Sequence, residues 1–286
     1  MIIKSDRNLN LKNKLKLSAP APPELYATSP DRSTMAPSMG LIYSLRQTLY
    51  VALTNQCNGV TLVASRGPGF HMPASAGFAP LLVEPSASEV VEAVAAKMLE
   101  ASIERCKQSP YYDGLVYAGI GEPLLRLDVL EEASQRLHTS YGSAFKLRVN
   151  TNGMVHPGAR AAVVARLLGA GISSVSVALA SADAAEWERL MQPASFAVDD
   201  GNSTRGAQRA HCSSTAGTGS PASSTSSRRG PRHEHVCGFV SALSAAGCDV
   251  ECTAVAAPGV ELDAVRSLAE SLGATFRERS WHPADG

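Results

Sequence analysis

The sequence predicts an α/β protein with a mostly parallel sheet. Six short segments have the apolar alternation of strands, and amphipathic stretches of helical period lie between them. The strand segments are residues 49–54, 115–120, 146–151, 174–180, 250–255 and 274–279. Repetition of strand and helix favours parallel strands joined by right-handed crossovers. Six such units suit an open, partial (β/α)6 TIM-like barrel over residues 40–286, and a doubly wound sheet is the alternative that periodicity leaves open.

The helices are predicted from their apolar faces and their end signals. The first covers residues 88–106 and follows Ser86 and Glu89, which fit a capping box. Pro157 suits the first turn of another helix, which ends near Gly169. Further helices are expected around residues 187–191, 236–246 and 261–272.

Two segments lack the composition of a packed core. Residues 1–38 are basic, poor in acids and rich in Pro, Ser and Thr. They fit a transit peptide, a disordered leader, or a gene start placed too early, with Met35 or Met39 as the true start. Residues 194–232 consist mainly of Ser, Thr, Gly, Ala and Arg, so we interpret them as a disordered insertion between two helices.

Composition argues against several classes of function, although a local basic patch is compatible with a neutral chain. The 26 basic residues equal the 26 acidic ones, so the electrostatic footprint of a nucleic-acid-binding protein is missing. No apolar run reaches the roughly 18 residues of a membrane span. The six cysteines follow no secreted framework, which favours a reducing compartment. The expected location is the cytoplasm, or an organelle if residues 1–38 are a transit peptide.

Three strand ends carry residues that could bind a ligand or take part in a reaction. The first strand enters a polar loop with Cys57, the second enters Gly119-Ile-Gly121-Glu122-Pro123, and the third ends at Asn152. The glycines let a ligand approach the backbone, Glu122 can accept from an ammonium group, and Asn152 offers both a donor and an acceptor. Strand-to-helix loops converge on one face of a barrel, so together they predict a ligand site. Ordinary turn roles are the alternative for each residue.

In order and spacing, these segments resemble the radical S-adenosylmethionine enzymes, most closely their TatD-associated branch. The resemblance spans about residues 41–279 outside the insertion. It implies a partial barrel, S-adenosylmethionine as cofactor, and contacts to the methionine amino group of that cofactor from Gly119, Gly121, Glu122 and Pro123. It also implies a [4Fe–4S] cluster held by a C-x-x-x-C-x-x-C motif after the first strand.

The cluster motif is incomplete in this chain. When the motif is laid over Cys57, its second and third cysteines fall on Thr61 and Ala64, which supply no thiolate. Cys57 is the one metal ligand retained, and a free thiol without metal is the alternative. Where the family often has Asn after the fourth strand, this chain has Ala180.

Three functions follow from these observations. The first is an S-adenosylmethionine-dependent radical enzyme of unknown substrate. The second is a barrel without a cluster that binds a nucleoside-like or anionic small molecule. The third is an interaction scaffold for a TatD-type nuclease, a partner that the resemblance implies.

Overall fold

The computed structural model shows a seven-stranded sheet with helices packed against it. It describes residues 40–45, 48–104, 114–194 and 232–284. The strands are β1 (Ile42–Leu45), β2 (Thr48–Val51), β3 (Gly114–Tyr117), β4 (Lys146–Thr151), β5 (Ser174–Ala178), β6 (Asp249–Val255) and β7 (Thr275–Arg279). The helices are α1 (Ala87–Glu104), α2 (Leu127–Tyr141), α3 (Arg160–Gly169), α4 (Ala184–Met191), α5 (Arg232–Ala245) and α6 (Leu262–Ser271).

The strands follow one another across the sheet in chain order, from β1 to β7. β1 is antiparallel to β2, and every later neighbouring pair is parallel. The six predicted strands correspond to β2–β7, so the mixed α/β class and the mostly parallel sheet are confirmed. A doubly wound sheet reverses its strand order at a switch point, and this sheet has no such reversal. The doubly wound alternative is therefore wrong.

The helix ends show which local signals were informative. The capping box before α1 is confirmed, because the Ser86 amide donates to the Glu89 carboxylate at 2.8 Å and the Glu89 amide donates to the Ser86 hydroxyl at 3.3 Å. α3 starts at Arg160, three residues after Pro157. α2 was not predicted from the sequence, and its first residue follows Arg126, which provides no capping hydrogen bond. Its buried residues nevertheless recur at helical spacing.

Alternating side chains divide the sheet into two faces. One face is apolar and packs into the helices, with Val149 of β4, Val175 of β5 and Val250 of β6 in the core. We call the opposite side the polar face. It carries Arg148, Asn150, Ser174, Ser176, Glu251, Arg277 and Arg279.

Two predicted segments fall wholly or mostly outside the described residues: the leader 1–38, with Met35 and Met39, and residues 195–231 of the insertion. The described flanks of the insertion lie together. The Arg232 amide donates to the Glu188 carboxylate of α4 at 3.0 Å, and the Arg232 side chain donates to the carbonyl oxygen of Ala194. Within the described ranges, no helix combines the length and hydrophobicity needed to cross a membrane.

Candidate functional site

Glu122 lies buried where the loop after β3 meets the end of β4. Only 2% of the residue's surface is exposed to solvent. One carboxyl oxygen accepts from the Leu124 amide at 3.0 Å and the Thr151 hydroxyl at 2.7 Å, and the other accepts from the Asn152 amide at 2.8 Å. Glu122 therefore caps the short 3-10 helix Pro123–Arg126 and joins two strand ends.

The environment of Glu122 disfavours its charged form. Desolvation raises the pKa of Glu122 to about 7, against the opposing effect of the three hydrogen-bond donors. No Lys or Arg among the described residues forms an ion pair with it. This carboxyl group therefore changes protonation state close to neutral pH.

Gly121 allows the loops after β2 and β3 to touch. A Cβ atom on Gly121 would collide with the carbonyl oxygens of Thr54 and Gln56. The amides of Gly121 and Glu122 donate to these oxygens at 3.1 and 2.8 Å. The backbone space that the sequence suggested for a ligand is thus filled by the β2 loop at this position.

Cys57, Asn58 and Asn152 form a polar cluster beside Glu122. The Asn152 side-chain amide donates to Asn58 Oδ1 at 2.6 Å and lies 3.6 Å from Cys57 Sγ. Asn152 Oδ1 accepts from the Met154 amide at 3.0 Å, and Asn58 Nδ2 is buried without a partner among the described residues. Desolvation raises the pKa of Cys57, which keeps its thiol protonated. The structure thus brings together Cys57, Glu122 and Asn152, which the sequence places on three different loops.

The loop after β2 uses the two missing cysteine positions for other purposes. Thr61 Oγ1 accepts from the Ala64 amide at 3.0 Å, just before the 3-10 helix Ala64–Arg66, whose N-cap residue is Val63. Cys252, on β6, is fully buried in the hydrophobic core. Within the described part of the chain, no three His, Cys, Asp or Glu side chains are arranged to hold a metal ion. These residues do not fit a [4Fe–4S] cluster bound in the family's manner.

The next stretch of the same loop packs against the C-terminal segment. The Gly69 amide donates to the His282 carbonyl at 3.1 Å, and the His282 amide donates to the Arg66 carbonyl at 2.9 Å. Arg66 Nε donates to the Ser280 carbonyl at 3.0 Å, and its guanidinium lies 4.7 Å from the centre of the Phe70 ring. Hydrogen bonds therefore connect residues 66–70, Arg-Gly-Pro-Gly-Phe, to the residues after β7.

A cavity of about 550 Å³ lies on the polar face near the carboxyl ends of the strands. Tyr43 and Tyr50 line it from β1 and β2, and Val255 and Arg279 line it from β6 and β7. Its volume is within the usual range for small-molecule sites. Further lining residues include Ala64, Gly119, Asn150, Ser176, Ala180, Thr253 and Trp281.

The cavity includes few of the residues that the sequence analysis selected. Gly119 lines it, whereas Cys57, Glu122 and Asn152 lie outside its lining. Asn150 and Ser176 line the cavity but were not predicted from the sequence, although polar residues inside strands that are otherwise apolar are a usable signal. Arg279 was not predicted either.

Comparison with known proteins gives fold-level likenesses only. No protein-family model matches the chain, and no curated protein is similar enough in sequence to count as a relative. Two crystal structures of Streptococcus suis SuiB, one of them with S-adenosylmethionine bound, each match this chain with a TM-score of 0.48 and 11% sequence identity. The match covers 84% of this chain and 42% or 41% of SuiB.

The radical S-adenosylmethionine methyltransferase TsrM from Kitasatospora setae, with its tryptophan substrate and aza-SAM bound, has a TM-score of 0.44 and 13% identity. That match covers 79% of this chain and 35% of TsrM. The chain thus spans less than half the length of these proteins. Likenesses at this level concern the course of the backbone and do not bear on function.

Proposed function

We propose that this protein is a radical-SAM-type partial barrel that binds a small molecule in the polar-face cavity and does not assemble an iron–sulfur cluster in the loop after β2. One observation carries the proposal. A cavity of small-molecule size is present, whereas the Thr61 hydroxyl accepts from the Ala64 amide and Ala64 lines the cavity without offering a ligand atom.

The partial barrel is supported by the position of the cavity. Tyr43 and Arg279 come from opposite edges of the sheet, yet both line the same cavity. A flat sheet of seven strands would hold its edges roughly 28 Å apart. Curvature of the sheet around the cavity accounts for the shared lining.

S-adenosylmethionine is the first ligand to test, because the resemblance implies it. Its fit to the predicted contacts is incomplete, since the Glu122 carboxyl is occupied by three protein donors and lies outside the cavity lining. Gly119 and Asn150 do line the cavity and offer backbone access and an amide group. We therefore assign binding to the cavity and no reaction step to the cofactor.

The second candidate is an S-adenosylmethionine-dependent radical enzyme of the TatD-associated branch. The proximity of Cys57, Glu122 and Asn152 favours it, because the resemblance places a cluster ligand at Cys57 and a cofactor contact at Glu122, and the Asn152 amide offers a donor and an acceptor beside them. Association with a TatD-type nuclease belongs to the same hypothesis. Co-purification of the two proteins from a mixture of the pure components would test that partnership.

One experiment separates the candidates. The full chain is purified without oxygen, reconstituted with iron and sulfide, analysed for bound iron, and titrated with S-adenosylmethionine in a calorimeter. Binding of S-adenosylmethionine without stoichiometric iron supports the proposal. About four irons per chain, with the broad visible absorption of a cubane, would establish the radical-enzyme candidate instead.

A further inference from the structure

We propose that the polar-face cavity contains a subsite for an anionic group, the carboxylate or phosphate of a small organic ligand, centred on the Arg279 guanidinium. The inference deepens the proposed function, since it concerns the same cavity. It does not depend on S-adenosylmethionine being the ligand.

The position of Arg279 follows from the alternation along β7. Arg277 and Arg279 lie on the polar face, opposite Thr253 and Val255 of β6 in the strand register. Phe276 packs on the other side, where the Arg266 guanidinium lies 4.8 Å from its ring centre. Arg279 therefore lies on the polar face of the last strand and is one of the residues that line the cavity.

Arg279 differs from its neighbours because its guanidinium has no protein partner. Arg148 and Arg277 each donate to the same oxygen of Glu251 at 2.6 Å. Arg66 donates to the Ser280 carbonyl. Across the described ranges, the half-buried Arg279 side chain has neither a hydrogen bond nor an ion pair. Its five N–H donors are thus available to a ligand.

The surrounding charge is strongly unbalanced. The charged groups that act on Arg279 are three further guanidinium groups, on Arg66, Arg148 and Arg277, and the single carboxylate of Glu251. Burial first, and these like charges second, lower the pKa of Arg279 to about 10, so the group is still cationic at neutral pH. A bound anion would offset this repulsion and satisfy the free donors.

The rest of the lining indicates the kind of molecule that carries the anion. Asn150, Ser176 and Thr253 supply neutral polar groups, and Tyr50 and Trp281 supply aromatic surface. The planar guanidinium fork matches both carboxylate and phosphate oxygens. The expected ligand is therefore a small molecule with one anionic group and a ring or aliphatic body.

Two probes test the subsite in the full-length protein: inorganic phosphate and benzoate. Each is titrated by calorimetry into wild type, Arg279→Gln and Arg136→Gln, with potassium chloride holding ionic strength constant. Arg136 is the matched control, because it is an arginine on α2 that pairs with Glu132 away from the cavity. Wild type and Arg136→Gln should bind at least one probe equally, and Arg279→Gln should bind that probe at least about tenfold more weakly. Tighter benzoate binding indicates a carboxylate ligand, and tighter phosphate binding indicates a phosphate ligand.

A second measurement guards against a folding defect in the variant. Arg279→Gln removes one of four crowded cations, so its melting temperature without a probe should equal or exceed that of wild type. Arg279→Lys keeps the charge without the fork and should bind with intermediate affinity. Wild type that binds neither probe more tightly than chloride, or Arg279→Gln that binds as well as wild type, would overturn the subsite. Failure of S-adenosylmethionine to bind would leave these outcomes unchanged, so the two hypotheses fail separately.

Discussion

Thr151 and Glu122 join the ends of β4 and β3 through a buried hydrogen bond of 2.7 Å between the threonine hydroxyl and the carboxyl group. Both residues are almost completely inaccessible to solvent. The same carboxyl accepts the amides of Leu124 and Asn152, so the geometry of two loops depends on one acidic side chain. A residue that the resemblance assigns to cofactor binding is thus part of the scaffold in this structure.

Removing one donor or the acceptor should destabilise the fold. At pH 5, Thr151→Val should lower the free energy of unfolding by about 1–2 kcal/mol, since it leaves the carboxyl short of a partner. Glu122→Gln should lower the free energy of unfolding by about 2–3 kcal/mol, because the NH2 group of the glutamine would face a backbone N–H donor whichever of the two carboxyl oxygens it replaces. Urea denaturation measures both.

Thr139→Val is the matched control for these two changes. The Thr139 hydroxyl donates to the Gln135 carbonyl on the exposed side of α2, and its loss should change stability by no more than about 0.5 kcal/mol. Equal effects of Thr139→Val and Thr151→Val would show that the link between the strand ends contributes little.

The pKa of Glu122 predicts how this effect changes with pH. Its pKa is raised in the folded protein to about 7 from an ordinary value of about 4.5, so the folded state binds a proton more tightly than the unfolded state does. The associated stability is fully present below about pH 4.5 and is lost as pH rises through 7, by about 3 kcal/mol in total.

Wild type should therefore lose stability relative to Glu122→Gln between pH 5 and pH 8. Other titrating groups cancel in this difference, because both proteins contain them. Urea denaturation of both proteins at four pH values measures it. A difference that stays constant over this range would contradict the raised pKa.

Replacing Ala180 by glycine or asparagine should stabilise the fold. Its φ of 58° is left-handed, a conformation that alanine adopts at a cost of about 1–2 kcal/mol. Ala180→Gly and Ala180→Asn should each stabilise the fold by about 0.5–1 kcal/mol, since glycine and asparagine tolerate this conformation. Ala178→Gly, in the regular part of β5, should destabilise it. Thermal melting of the three variants tests the prediction, and a loss of stability in Ala180→Gly would contradict it.

The sequence predicted the parallel strands well, for a physical reason. Strands covered by helices need apolar residues on one face, and the runs around Val149 and Val175 show this directly. β1 was not predicted because only one of its four residues is buried. α2 was not predicted because its start has no capping side chain, although its buried leucines are regularly spaced.

The candidate site was predictable only in part. Cys57, Glu122 and Asn152 end neighbouring strands, so their proximity follows from the parallel sheet. The sequence shows that residue 122 is an acid that can accept hydrogen bonds. It does not show that three donors of the protein itself surround the carboxyl group in the fold. Arg279 was missed because Arg277-Glu278-Arg279 has the composition of an exposed strand, and only the three-dimensional arrangement places these arginines around Glu251.

The insertion should be dispensable for folding. Ala194 and Arg232 lie in contact, so a short Gly/Ser linker can replace residues 195–231 without moving α4 or α5. Because the entropy of loop closure varies slowly with length, the melting temperature should be nearly unchanged. A fall of several degrees, or loss of soluble protein, would show that the segment packs against the rest of the chain.

The absence of a complete thiolate set leads to a prediction about iron. Wild-type protein should contain no stoichiometric [4Fe–4S] cluster even after anaerobic reconstitution, because one thiolate at Cys57 cannot hold a cubane against competing thiols.

The double variant Thr61→Cys with Ala64→Cys restores the motif spacing and should bind more iron than wild type. It also removes the hydroxyl that accepts from the residue 64 amide, so a loss of stability of about 1 kcal/mol, the net contribution of one hydrogen bond, should accompany it. Thr61→Ser with Ala64→Ser keeps a hydroxyl at residue 61, adds no thiolate, and is the matched control. Iron and sulfide analysis with visible absorption spectra compares the three proteins. A wild-type protein with about four irons would contradict the ligand count.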